Sequence, residues 1–260
     1  MPEAFVVAIT TLAAALFLGM LLLSEVGRRV GQRRFARDPE GARVGTGVVD
    51  GAVFGLLGLL VAFTFSGAGA RFDARRQLVV EEANAIGTAW LRLDLLPAGE
   101  QPALRDLFRS YLDTRLEVYQ NVSDLEATAD ALARSVTLQG DIWSRSVAAC
   151  QSPEGQRAIV VLLPALNQMI DITTTRTMAS RIHPPGIIFA LLVGLGLVCS
   201  LLAGYAMAGG KQRSWTHSVG FAAVIVLSVY VILDLEYPRR GLIRVDAMDQ
   251  VLIDLRASMR

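Results

Sequence analysis

The stretch from Gly51 to Pro97 constrains this chain more than any other. It opens with GAVFGLLGLLVAFTFSGAGA, in which no residue is charged. At about 1.5 Å of rise per residue, a helix over Gly51–Ala70 is long enough to cross a bilayer. Charges begin at Arg71, yet no proline interrupts the chain until Pro97. The pattern predicts one long helix that starts in lipid and continues as a stalk in water. The other segments are placed around this rod.

Composition agrees with a membrane protein. Of the 260 residues 53% are hydrophobic and 19% charged, against about 25% charged in an average soluble domain. A net charge of +1 gives no bulk pull toward nucleic acid, so no such partner is expected. The two histidines, His183 and His217, leave little for a metal site, and no metal or cofactor is expected. Cys199 lies in an apolar span and Cys150 in a polar region, so no disulfide is expected. No nucleophile with a base, phosphate-binding loop or dinucleotide motif is found, so no catalytic residue is assigned and no enzyme is expected.

Ala4–Ser24 is a first uncharged span. It has no basic residue before it and no small-residue cleavage site after it, so it reads as a retained span rather than a signal peptide. Arg28 to Arg43 reads as a short basic loop kept irregular by glycines and Pro39, suited to lipid headgroups. In the second span Gly47, Gly51, Gly55, Gly58 and Ala62 recur every three or four residues and line one face. Such a face lets another helix approach closely. Packing within one subunit, a subunit interface and a pore lining all fit it. Phe54, Phe63 and Phe65 suit lipid or core, and Phe63 and Ser66 are kept as pore candidates.

The stalk, Phe72 to Leu95, is two-faced. Phe72, Val79, Ala83, Ile86, Trp90 and Leu93 share one side; Gln77, Glu81, Asn84, Thr88 and Arg92 share the other. The polar side is either a solvated face or the lining of a vestibule in which Glu81, Asn84 and Thr88 contact ions. After a turn at Pro97–Pro102, Ala103–Val122 is amphipathic, as is Asp124–Cys150, which Gln139-Gly140 weakens midway. Ser152-Pro153-Glu154 reads as the start of a fourth helix, with serine as cap. Pro164 predicts a kink there. Asn167, Asp171 and Thr174 share one of its faces, a local hydrogen-bonding face or an ion-contacting one.

The third span is uncharged from Pro184 to Gly210 and the fourth runs from Trp215 to Leu233. Asp234 ends the apolar run, where Arg75, Arg76, Arg176 or Arg239 is its expected ion-pair partner, with Glu236 in the same group of charges. Leu242, Val245, Met248, Leu252 and Leu255 predict a last amphipathic helix, packed on the bundle or on a neighbouring subunit. The fold class expected is an all-α membrane protein with four spans and a helical bundle inserted between spans two and three. Its parts are 1–70 with the first two spans and the basic loop, 71–183 the bundle, 184–236 the last two spans, and 237–260 the final helix. The arginines after, and none before, the first span place the termini and the bundle outside and both short loops inside.

The stretch LLVAFTFSGAGARFDARRQLVVEEANAIGTAWLRLDLLP resembles the signature of a bacterial membrane family known as bestrophin-like. So do LLPALNQMIDITTTRTMASRIHPP, LLAGYAMA and VYVILDLEYPRRGLIRVDAMDQVLIDLR. The resemblance covers nearly all of the chain after residue 45. It implies a four-span protein of the bacterial inner membrane, surrounded by lipid and assembled as a homo-oligomer. It implies an ion channel whose second span lines the pore and passes inorganic ions. Bestrophins have cytoplasmic termini, the opposite of the charge-based orientation. No counterpart of a bestrophin calcium clasp is found, and no binding residue is carried over. Within the motif the polar positions are Glu81, Glu82, Asn84, Arg92, Asp94, Asn167, Asp171, Asp234 and Glu236. The competing expectation is a membrane-anchored helical sensor or scaffold that acts through a partner.

Overall fold

The computed structural model describes residues 2–38, 46–120, 124–210, 214–243 and 245–259. Among them every regular element is helical. The helices are α1 (Pro2–Arg37), α2 (Thr46–Arg92), α3 (Gln101–Gln120), α4 (Leu125–Cys150), α5 (Ile159–Arg181), α6 (Gly186–Ala206), α7 (Trp215–Glu236) and α8 (Gln250–Ser258). Four stretches are long and apolar enough to cross a membrane: Ala4–Arg37, Gly47–Leu95, Gln156–Gly209, which contains α6, and Trp215–Glu236. α2 is the long rod that the unbroken stretch before Pro97 predicts. It ends in a 3-10 turn at Leu93–Leu95. The backbone divides into two compact units, Pro2–Ala70 with His183–Leu242 and Arg71–Ile182 with Ile243–Arg260.

In the first unit α1 packs on α6 and α7. The α1–α6 crossing is made of backbone. A Cβ on Gly27 would lie 1.9 Å from the Leu201 carbonyl oxygen, and one on Gly204 would lie 1.9 Å from the Ser24 carbonyl oxygen. Only glycine fits where two helices touch this way. Beside the crossing the Ser24 and Ser218 hydroxyls meet at 3.1 Å. The outward positions are apolar, including Val7, Leu18, Leu22, Ile187 and Leu227.

The expected basic loop is corrected here. Residues 28–37 are the last turns of α1, not irregular chain. Gly27 and Gly31 mark contacts with α6 rather than breaks, since a Cβ on Gly31 would lie 2.9 Å from the Tyr205 carbonyl oxygen. Glu25 supports the same turns by accepting from Arg28 and Arg29, three and four residues on. Pro39, Arg43, Lys211, Arg213, Val122 and Arg244 lie outside the described residues.

The second unit has one core. Val79, Ala83, Ile86 and Trp90 of α2 and Leu93 of the turn after it are buried with Leu104, Phe108, Tyr111 and Leu112 of α3, Ile142 and Cys150 of α4, and Leu162, Leu166 and Met169 of α5. The apolar stripe of the stalk is therefore its core face. Asp124 caps α4 by accepting from the Glu126 and Ala127 amides at 3.1 and 3.0 Å. Gly140 leaves α4 unbroken, because Gln139 beside it is anchored in the core. Both cysteines are free.

The start of α5 also departs from expectation. Ser152 does not cap it: its hydroxyl accepts from the Gly155 amide at 3.0 Å and donates to the Ala149 carbonyl at 2.9 Å. A 3-10 turn at Gln156–Ala158 follows, and α5 begins at Ile159. Gly155 is packed so closely on Ala149 that the chain must turn before it can coil. The threonines of α5 stay helical by bonding back: Thr173 donates to the Ile170 carbonyl and Thr175 to that of Asp171, at 2.7 and 3.2 Å.

Candidate functional site

Among the described residues no element covers the glycine face of α2. A Cβ on Gly51, Gly55 or Gly58 would meet no atom within 4 Å. The small residues that permit close approach are thus unused within the subunit, while Gly27 and Gly204 are used. Phe63 is 68% exposed and Ser66 is exposed too. On the stalk, Glu81 and Asn84 are exposed and Thr88 is half-buried. Gln77 donates to Glu81 at 2.9 Å, and Arg92 donates to the Val161 carbonyl at 2.5 Å. Asn167 and Asp171 of α5 are exposed.

Sequence reasoning named Glu82 and Arg176 separately but missed Arg115, Tyr119 and the polar group that these residues form inside the second unit. Glu82 is fully buried and Arg115 is 1% exposed. Arg115 Nε donates to Glu82 Oε1 at 2.6 Å, and Arg176 donates to Oε2. The Tyr119 hydroxyl also donates to Oε2, at 2.8 Å, while accepting from Arg115. The Arg176 guanidinium lies 3.4 Å from the centroid of the Tyr119 ring, a cation–π contact in a dry site. The other edge of Arg176 donates to Asp249 at 3.4 Å. Nearby, Gln139 donates to the Tyr111 hydroxyl and to Thr173, both at 3.1 Å.

These surroundings shift the ionisable groups. Burial pushes the Tyr111 phenol up to about 12, against the lowering effect of Arg115. Burial and then Glu82 raise Tyr119 as well. Burial opposes the charge of Arg115, but Tyr119, Glu82 and Tyr111 outweigh it and hold that charge more firmly than usual. The arrangement is a closed hydrogen-bonded cluster with its charges opposed, the condition under which buried ions are tolerated.

A signal for this cluster exists in the sequence. Glu82 falls in phase with Val79, Ala83 and Ile86, on the apolar stripe rather than opposite it. Arg115 falls in phase with Tyr111, Leu112 and Tyr119. A charge on a core stripe in each of two helices is the mark of a buried pair.

The remaining charged candidates make other contacts. Arg75 donates to the Ala179 and Ile182 carbonyls at 3.1 and 3.0 Å, closing the end of α5. Arg76 pairs with Asp73 at 3.4 Å on the surface. Asp234 is buried and accepts from the Leu242 amide at 2.9 Å. Gly241 is pressed so closely on Asp234 that a Cβ there would lie 1.6 Å from Oδ1. Glu236 is buried 3.4 Å from His183 Nδ1, and the His183 ring stacks on Tyr237. Arg239 is half-buried just after α7. Among the described residues no three His, Cys, Asp or Glu side chains are grouped as metal ligands. Ser24, Glu25, Arg28 and Ser218 border a cavity of about 10 Å³, room for one water.

A family model for the bestrophin-like domain matches residues 14–248, most of the chain. The chain belongs to the bestrophin-like family. As a member it is a membrane protein. Its fold is shared by a crystallised single-residue variant of a bacterial bestrophin homologue from Klebsiella pneumoniae. The TM-score is 0.69 at 14% identity, covering 95% of this chain and 98% of that one. A second variant from the same organism gives 0.66 at 15%, covering 92% and 98%. A structure described only as a membrane protein gives 0.62 at 15%, covering 93% and 98%. No curated protein sequence matches the chain.

Proposed function

We propose that this bestrophin-like chain is one subunit of a homo-oligomeric ion channel in the bacterial inner membrane, with Gly51–Ala70 of α2 lining the pore. The uncovered glycine face carries the reading. Gly51, Gly55 and Gly58 sit on an apolar helix where, among the described residues, no atom lies within 4 Å of an added Cβ, and membrane helices keep small side chains where a backbone is approached closely. A neighbouring α2 around a narrow conduit meets that condition. In this arrangement Phe63 narrows the conduit and Ser66 offers it a hydroxyl. Glu81, Asn84 and Thr88 on the stalk, with Asn167 and Asp171 on α5, are the proposed ion contacts. The Glu82 cluster has a holding role, and no catalysis is proposed. Following the arginines after the first span, the termini and bundle face outward.

The purified protein in liposomes tests this. Ion flux under a gradient is expected, with a rate that changes in Phe63→Ala and a cation/anion preference that changes in Glu81→Gln. No flux for any inorganic ion, or a single subunit per particle, would end the proposal. Labelling of single cysteines placed in α3 or α8 from outside intact cells tests the orientation.

The alternative, a scaffold acting through a partner, draws on the surface of the second unit. Leu91, Leu95 and Val160 are 68, 52 and 76% exposed, and exposed apolar groups favour a binding surface. Replacing them with serine separates the readings: a scaffold loses its partner, whereas a channel keeps its conductance.

A further inference from the structure

α8, Gln250–Ser258, is too short to be stably helical alone. Within it only Leu252 is fully buried, joined by Met259 just beyond. Val251 and Leu255 pack on the same core while only partly buried, and its further attachments to the second unit are polar. Arg256 makes a two-pronged pair with Asp113 of α3 at 2.7 and 3.0 Å, with the two side chains 33 and 54% exposed. Arg109 donates to the Met259 carbonyl at 3.1 Å. Immediately before α8, Asp249 receives the outer edge of Arg176. Exposed ion pairs are weak and screened by salt, so α8 is fastened less firmly than the helices of the core.

Its position matters because Asp249 belongs to two structures at once. With α8 seated, the Glu82 carboxylate faces Arg115 and Arg176, and Asp249 adds a second carboxylate at Arg176. With α8 lifted, Asp249 leaves and Glu82 faces both guanidiniums alone. We propose that α8 is a salt-releasable strap whose seating, through Asp249, sets the charge balance of the buried Glu82 cluster. Seated, it brings the Asp249 carboxylate to Arg176. Lifted, it leaves excess positive charge at Arg176, where anions from solution are drawn. This device does not depend on the ion-channel reading.

Amide hydrogen exchange on the full chain in detergent, across a sodium chloride series, tests it. The amides of 250–259 are expected to exchange ahead of those in α3 and α5. They are expected to speed up about two- to fivefold from low to high salt, the effect of screening exposed pairs, while α5 holds steady. Asp113→Arg sets two guanidiniums against each other, so salt then slows the exchange of α8 instead of speeding it, and adding Arg256→Asp restores the original trend. Asp249→Asn accelerates α8 while leaving α4 unchanged. Exchange of α8 in step with α3 and α5 at every salt concentration overturns the strap. An unchanged α8 in Asp249→Asn overturns its link to the cluster. If Asp113→Arg does not fold, the salt series on the unaltered protein decides.

Discussion

Glu82 illustrates how much one buried carboxylate can organise. It accepts from Arg115, Arg176 and Tyr119, which come from α3 and α5, while standing on α2 itself. Truncating it leaves the buried Arg115 without its carboxylate and Arg176 with Asp249 in place of two carboxylates. Glu82→Ala is therefore expected to destabilise the second unit by about 3–5 kcal/mol. Adding Arg115→Met should recover part of the loss, because an apolar side chain tolerates the site that an unpaired charge does not. Thermal unfolding of the detergent-solubilised protein measures both.

The tyrosines beside the cluster predict a pH dependence. Tyr111 is raised from the ordinary phenol value of 10 to about 12, and Tyr119 is raised too. A group whose folded value lies above its unfolded one binds its proton more tightly in the fold. Its contribution is fully present below the unfolded value, near pH 10, and is lost as pH rises toward 12. Phenolate absorbance and helical circular dichroism should change together in that window. Phenolate formation well before any loss of helix would contradict the burial of these rings.

Among the helices, two kinds of glycine contact can be told apart. Gly27 and Gly204 lie at a backbone-to-backbone crossing of α1 with α6, whereas Gly51, Gly55 and Gly58 face no atom among the described residues. Gly27→Ala and Gly204→Ala must push two backbones apart, an overpacking cost of about 1–3 kcal/mol or more. Gly55→Ala is expected to leave subunit stability unchanged or slightly higher, since alanine favours the helix, and to alter assembly. Unfolding curves report the first effect and size-exclusion with light scattering the second. Gly241→Ala belongs with the first group, because its methyl would collide with the Asp234 carboxylate.

For the molecule as a whole, the sequence periodicities sort the chain into apolar spans and amphipathic helices, and the helices follow that sorting. The long α2, the core stripe of the stalk and the amphipathic α3 and α4 were all legible, since a period of 3.6 fixes which side of a helix is buried. The helical course of 28–37 was not. Glycines and arginines there look like loop, and only contact with α6 shows that those glycines serve packing. The start of α5 was misread for a related reason. Ser152-Pro153 has the local chemistry of a cap, but the tight approach of Gly155 to Ala149 delays the helix.

The same division governs the candidate site. By itself the sequence determined an all-helical, four-span chain, because hydrophobic run length and periodicity are local quantities that lipid and water read directly; the family was carried by the likeness of particular stretches. Tertiary structure alone decided which polar residues meet. Glu82, Arg115, Arg176 and Asp249 are scattered over four segments, and their pairing depends on how those helices turn against one another. It likewise decided which glycines touch a neighbour and which face nothing, because a small side chain marks where approach is allowed but not what approaches.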